Sequence, residues 1–231
     1  MTTISNNLQG VRERIATACA DAGRPVESVT LLAVSKTWGA DAVREAFAAG
    51  QTRFGENYIQ EAVDKITALR ELPLEWHCIG PIQSNKSRLV AEHFDWVHTV
   101  DRLKIAQRLS DQRPLGLPPL QVCLQVNIDG GVNKSGIPPD EVLALAAQIA
   151  VLPNLCLRGL MVIPEPAPDF DSQVLLHRRT KALFDMIAAA ALPRAERFDT
   201  LSMGMTADLE AAVAAGSSMV RVGTAIFGGR A

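Results

Sequence analysis

The four cysteines, Cys19, Cys78, Cys123 and Cys156, form no CxxC pair and match no zinc-ligand spacing. Each lies in an apolar helix or strand context, so a disulfide framework is excluded and the reduced thiols of a cytoplasmic protein are expected. No apolar run approaches the roughly 18 residues that suggest a bilayer span, and the Ala-rich MIAAAAL is far too short. The N-terminal MTTISNNLQGVRERIATACA lacks a basic segment followed by an apolar one, so no secretory leader is expected. A basic field for nucleic acid is missing as well, since the formal net charge is −2. The cluster His177-Arg178-Arg179 with Lys181 falls in a helical pattern and reads as a solvated face. There is no Ser-His-Asp ordering, no HExxH and no Walker loop.

What remains is a regular alternation. With 48% hydrophobic residues, the 231-residue chain can bury a sizeable core. An N-terminal helix is expected over about residues 4–21. Short apolar runs follow at 29–36, 52–57, 75–80, 96–101, 120–128, 157–164, 199–205 and 218–228, separated by amphipathic helical segments. This pattern predicts a parallel sheet. Eight such units without a long interruption predict a closed single-domain (β/α)₈ TIM barrel over residues 1–231, with an extra N-terminal helix. An open doubly wound sheet is the alternative, but no G-x-G-x-x-G follows any strand. Nothing calls for a second subunit, and a monomer is the simpler expectation.

A barrel of this kind carries its active site at the C-terminal ends of the strands. Polar residues ending the runs are Lys36, Asn57, His77, Asp101, Asn127, Ser202 and Thr224. Period-2 alternation puts Leu32, Val34 and Lys36 on one face, so an inward Val34 brings Lys36 inward too. A desolvated lysine has a lowered pKa and a nucleophilic amine, as imine formation requires; the alternative is a lysine snorkelling to solvent.

Loops after strands 7 and 8 often hold a phosphate. Ser202, Gly204 and Thr206 lie at one, Gly223 and Thr224 at the other, and small or hydroxylated residues suit close contact with phosphate oxygens. Arg221 shares parity with Gly223 and needs an acceptor, either a carboxylate such as Asp199 or a ligand nitrogen. Asn57 could bind a ligand or cap the next helix. His77 could be a core histidine or line a ligand. Lys86 and Arg88 near a helix start hint weakly at an anion, and NKSG at 133–136 is equally open.

The segments LLAVSKTW, RFGENYIQEAVDKI, WHCIGPIQSNKSRLVAEHFDWVHTVDR, NKSG, LRGLMVIP, LSMGMTADLEAAVAAG and VRVGTAIFG span about residues 30–228. Together they resemble the pyridoxal phosphate homeostasis proteins, barrels of the alanine racemase N-terminal type. The resemblance implies a fold-type III barrel with pyridoxal 5′-phosphate (PLP) as a Schiff base on Lys36. It also implies that Ser202, Gly223 and Thr224 hold the phosphate, Arg221 faces the pyridine nitrogen and Asn57 lies near the ring. The implied role is PLP and vitamin B6 homeostasis, carrying or supplying PLP to apo-enzymes without robust catalysis. The alternatives are a low-activity amino-acid racemase and a lysine-imine aldolase. Racemases of this fold add a tyrosine base from a second domain, whereas this chain has one tyrosine, Tyr58, and no evident room for that domain.

Overall fold

A computed structural model describes residues 2–131 and 134–229, so Asn133 of the NKSG segment lies outside the described residues. Eight parallel strands close into a barrel in chain order. They are β1 (Thr30–Val34), β2 (Arg53–Glu56), β3 (Glu75–Cys78), β4 (Trp96–Val100), β5 (Leu120–Val126), β6 (Leu155–Val162), β7 (Thr200–Ser202) and β8 (Met219–Val222). Pairing of Leu32 with Arg221 and of Ala33 with Val222 joins β8 back to β1 and leaves no edge.

Before β1 comes α1 (Thr3–Asp21), and α2 (Ala40–Ala48), α3 (Ile59–Ala68), α4 (Ser87–His93), α5 (Leu103–Gln112), α6 (Val142–Ala150), α7 (Phe170–Ala189) and α8 (Leu209–Ala214) return the chain between strands. After β8 the last apolar run is not one strand. The strand stops at Val222, Gly223 takes a helix-capping position, and Thr224–Phe227 form a short helix, α9. The apolar run continues because Ile226 and Phe227 are buried by the helical turn. Phe227 stacks on Trp38 at 6.0 Å.

Alternation along the strands separates two interiors. Ala33, Phe54, Trp76, Cys78, Val97, Leu124 and Val222 point outward into the large apolar layer beneath the helices. Inside the barrel, Trp96, Cys123 and Met161 form a separate small cluster, and the rest of that space is notably polar. His77, His98, Gln125, Ser202 and Arg221 are all buried. Branched aliphatic residues usually fill such barrels, so this polar filling needs a hydrogen-bonded account.

Candidate functional site

Lys36 follows β1 by two residues, half-buried at the C-terminal mouth. Its chain segment is clamped from beneath. Ser35 donates its hydroxyl to Glu56 Oε1 at 2.6 Å, Lys65 Nζ donates to the Ser35 carbonyl at 2.9 Å, and Thr37 N–H donates to Glu61 at 2.7 Å. Lys65 also pairs with Glu56 at 2.6 Å, both side chains being almost wholly buried. Burial pushes Glu56 above the usual carboxylate range, with Lys65 and Ser35 opposing. Thr37 then turns through φ 69°, an uncommon conformation for a non-glycine residue.

A cavity of about 310 Å³ opens at this mouth, within the range of small-ligand sites. Lys36, Asn57, Arg221, Gly223 and Thr224 all line it, as do Val34 at the end of β1 and Ile79 just after β3. Met205, Thr206 and Ala207 contribute from the loop after β7. Asn57 does not cap α3, whose capping position is Tyr58 without a side-chain bond. Its Oδ1 is buried with no partner, a cost a ligand donor would remove. Gly80 packs so closely on Asn57 that a Cβ there would lie 2.0 Å from the Asn57 carbonyl oxygen.

Arg221 is buried beneath the cavity. Asp199, one candidate for its acceptor, is taken by Arg158 at 2.7 Å. Arg221 instead donates Nη1 to Ser202 Oγ and Nη2 to the Val162 carbonyl, both at 2.8 Å. Burial lowers its pKa to about 10, with Asp208 opposing, so it stays cationic at neutral pH. Ser202 is fully buried and engaged with Arg221 and His98. The hydroxyls on the cavity wall belong to Thr206 and Thr224. The reason is register: Ser202 ends β7 facing inward, and Gly204, at φ 92°, turns the chain so that the next residues rise to the mouth.

The segments after β7 and β8 are both braced by α1. Arg14 donates to the Thr206 carbonyl at 2.9 Å, and Asn7 donates to the Ile226 carbonyl at 2.9 Å. Other strand-end candidates lie elsewhere. Asp101 pairs with Arg102, Asn127 closes its own loop onto Gly131, and Arg88 pairs with Glu92 along α4. His77 stacks on Trp96 at 5.2 Å inside the barrel, away from the cavity wall. No cluster of metal-binding side chains occurs among the described residues.

Comparison with known proteins shows the family and the fold. The alanine racemase N-terminal domain family matches residues 6–231. The pyridoxal phosphate homeostasis protein of Pseudomonas aeruginosa is 56% identical over 230 residues, covering 100% of this chain and 97% of that protein. Its Escherichia coli K12 namesake is 56% identical over 233 residues, covering 100% and 98%. The structure of PipY from Synechococcus elongatus with PLP bound superposes with a TM-score of 0.83 at 38% identity, covering 97% of this chain and 100% of that one. Alanine racemase from Corynebacterium glutamicum shares the fold, with a TM-score of 0.61 at 18% identity, and this chain covers 60% of it. The chain belongs to the alanine racemase N-terminal domain family, and within it to the pyridoxal phosphate homeostasis proteins.

Proposed function

We propose that this protein binds PLP at the C-terminal mouth of its barrel, as a Schiff base on Lys36, and serves PLP homeostasis by holding and supplying the cofactor. The observation that carries this reading is the convergence of Lys36, Asn57, Arg221, Gly223 and Thr224 on one cavity. The residues fit the group. Lys36 supplies the amine, and Asn57 Oδ1 is a buried acceptor awaiting a donor. Arg221 offers a cation, and two threonines with a glycine offer phosphate contacts. Gly223 has no side chain to obstruct that contact, and a Cβ there would also crowd the Val34 carbonyl oxygen at 3.1 Å. Thr206 replaces Ser202 as the direct phosphate hydroxyl in this reading, with Ser202 acting through Arg221.

PLP bound here would supply an electrophilic aldehyde and, when its ring nitrogen is protonated, an electron sink. A guanidinium has no acceptor for that proton, so Arg221 favours the unprotonated ring and weak carbanion stabilisation. Tyr58 is half exposed and does not line the cavity, so it is not poised as a second base. Both features favour carriage, with PLP-dependent apo-enzymes as recipients, over turnover.

The test is borohydride reduction of PLP-loaded protein followed by peptide mass spectrometry, paired with transfer to a PLP-requiring apo-enzyme. A pyridoxyl adduct on Lys36 and reactivation of the apo-enzyme are expected. An adduct elsewhere, or none, would overturn the site. Rapid Cα deuterium exchange of alanine or serine would overturn the non-catalytic reading.

A further inference from the structure

Four of the five buried polar residues inside the barrel, all but Gln125, form one line. Arg221 Nη1 reaches Ser202 Oγ at 2.8 Å, and Ser202 Oγ lies 3.0 Å from His98 Nδ1. His98 Nε2 lies 2.9 Å from His77 Nδ1, and His77 Nε2 lies 2.9 Å from Glu75 Oε1. Glu75 is the first residue of β3, so it sits at the N-terminal mouth, opposite Lys36. There it also meets Arg53 at 3.0 Å and borders a polar recess with Arg158 and Asp199.

With His77 neutral, the donor sense of every bond follows from the two ends. A guanidinium only donates and a carboxylate only accepts. Burial acts to raise Glu75, but the hydrogen bond from His77 and the Arg53 guanidinium hold it down at about 2, so it is ionised at neutral pH. His77 must therefore donate from Nε2 and, when neutral, accept at Nδ1. His98 must then donate from Nε2 and accept at Nδ1. Ser202 donates its hydroxyl to His98 and accepts from Arg221. Each link then has one hydrogen, and both buried imidazoles are uncharged, as burial alone would favour.

We propose that Glu75, His77, His98 and Ser202 act as positioning residues, a donor chain of single polarity that ties the cavity's cation, Arg221, to a carboxylate at the far mouth of the barrel. The chain spans a space where branched aliphatic residues would ordinarily pack. Hydrogen bonds in a row polarise one another, so the Ser202 oxygen becomes a stronger acceptor and holds the guanidinium in place. Its effect on PLP rests on the cofactor reading above; its polarity does not.

The test uses the full chain labelled with ¹⁵N-histidine, free of PLP, at neutral pH. Both His77 and His98 are expected as neutral Nε2–H tautomers. Glu75→Gln replaces an obligate acceptor by a group that can also donate, so both residues should shift toward Nδ1–H together. Arg53→Gln removes the other partner of Glu75 and should leave both tautomers unchanged. Nδ1–H on either residue in the parent protein, or a shift of His77 without His98, would overturn the chain. Titration with PLP is the second readout. Glu75→Gln should bind roughly threefold to tenfold more weakly, the size of one weakened hydrogen bond, with any adduct still on Lys36. Unchanged affinity alongside shifted tautomers would overturn the positioning of Arg221. No PLP binding by the parent protein would instead overturn the cofactor reading, while the tautomers still decide the chain.

Discussion

Lys65 Nζ lies 2.9 Å from the main-chain carbonyl of Ser35, so a buried ammonium on α3 holds the residue that precedes Lys36. The same ammonium neutralises Glu56, whose other oxygen, Oε2, is buried without a partner. Lys65→Met would leave Glu56 uncompensated. Breaking a buried pair from one side costs about 3–5 kcal/mol, to be read from urea denaturation. The double variant Glu56→Gln/Lys65→Met should recover part of that loss, because no unpaired charge is left. PLP affinity should fall in both, since the Ser35 carbonyl has lost its tether.

Gly80→Ala should damage the site without touching any side chain in it. The added methyl group would sit 2.0 Å from the Asn57 oxygen and 2.7 Å from its carbonyl carbon. Both are backbone atoms, so no rotamer change relieves the clash. Asn57 must move, and with it the orphaned Oδ1 at the cavity wall. A stability loss of about 1–3 kcal/mol, typical of overpacking, should accompany a PLP affinity at least tenfold weaker. Native stability and unchanged PLP binding together would refute the close approach.

Much of this was legible in the sequence, and the exceptions share a cause. Strand parity tied the direction of Lys36 to that of Val34 without fixing either, and the eight apolar runs foretold the barrel. Alternation could not show where β8 gives way to α9, because Ile226 and Phe227 are apolar in either conformation. Ser202 drew attention as a hydroxyl near a strand end, yet the turn at Gly204 hands the mouth to Thr206. His98 escaped notice because a lone histidine in WVHTV has no local signal; only barrel closure brings it between His77 and Ser202. The acceptor for Arg221 was equally hidden, since Val162 and Ser202 come from different strands.

Stability should fall on mild acidification. Burial, opposed by Glu75, lowers the pKa of His77; burial, together with the Arg221 cation and the repulsion that protonating both neighbouring rings would bring, lowers that of His98 well below its ordinary value. An unfolded histidine titrates near ~6.5. Below that pH the unfolded chain binds protons that the folded one refuses, so stability rises with pH in this window and is lost as pH falls. Glu75 acts in the same direction lower down, between its ordinary value of 4.5 and its folded value of about 2. Urea midpoints should therefore drop steadily from pH 7 to pH 5. The ring C–H resonances of His77 and His98 should show no titration near pH 6.5, and a normal titration of either would contradict the buried neutral pair.

The roles given to Thr206 and Ser202 separate under a change of ligand. Thr206 lines the cavity beside Thr224, whereas Ser202 lies behind Arg221 with its hydroxyl engaged. Thr206→Val keeps the shape of the side chain and removes only a donor to phosphate. A hydrogen bond to a charged group contributes about 1.5–3 kcal/mol, so PLP should bind roughly tenfold to a hundredfold more weakly. Pyridoxal, which has no phosphate, should bind this variant and the parent alike. Ser202→Ala releases Arg221 and leaves His98 Nδ1 without its donor, so it should weaken PLP and pyridoxal by similar factors. If Ser202→Ala instead spared pyridoxal and weakened only PLP, Ser202 would itself be a phosphate ligand, and the layer between it and the cavity would have to open when PLP enters.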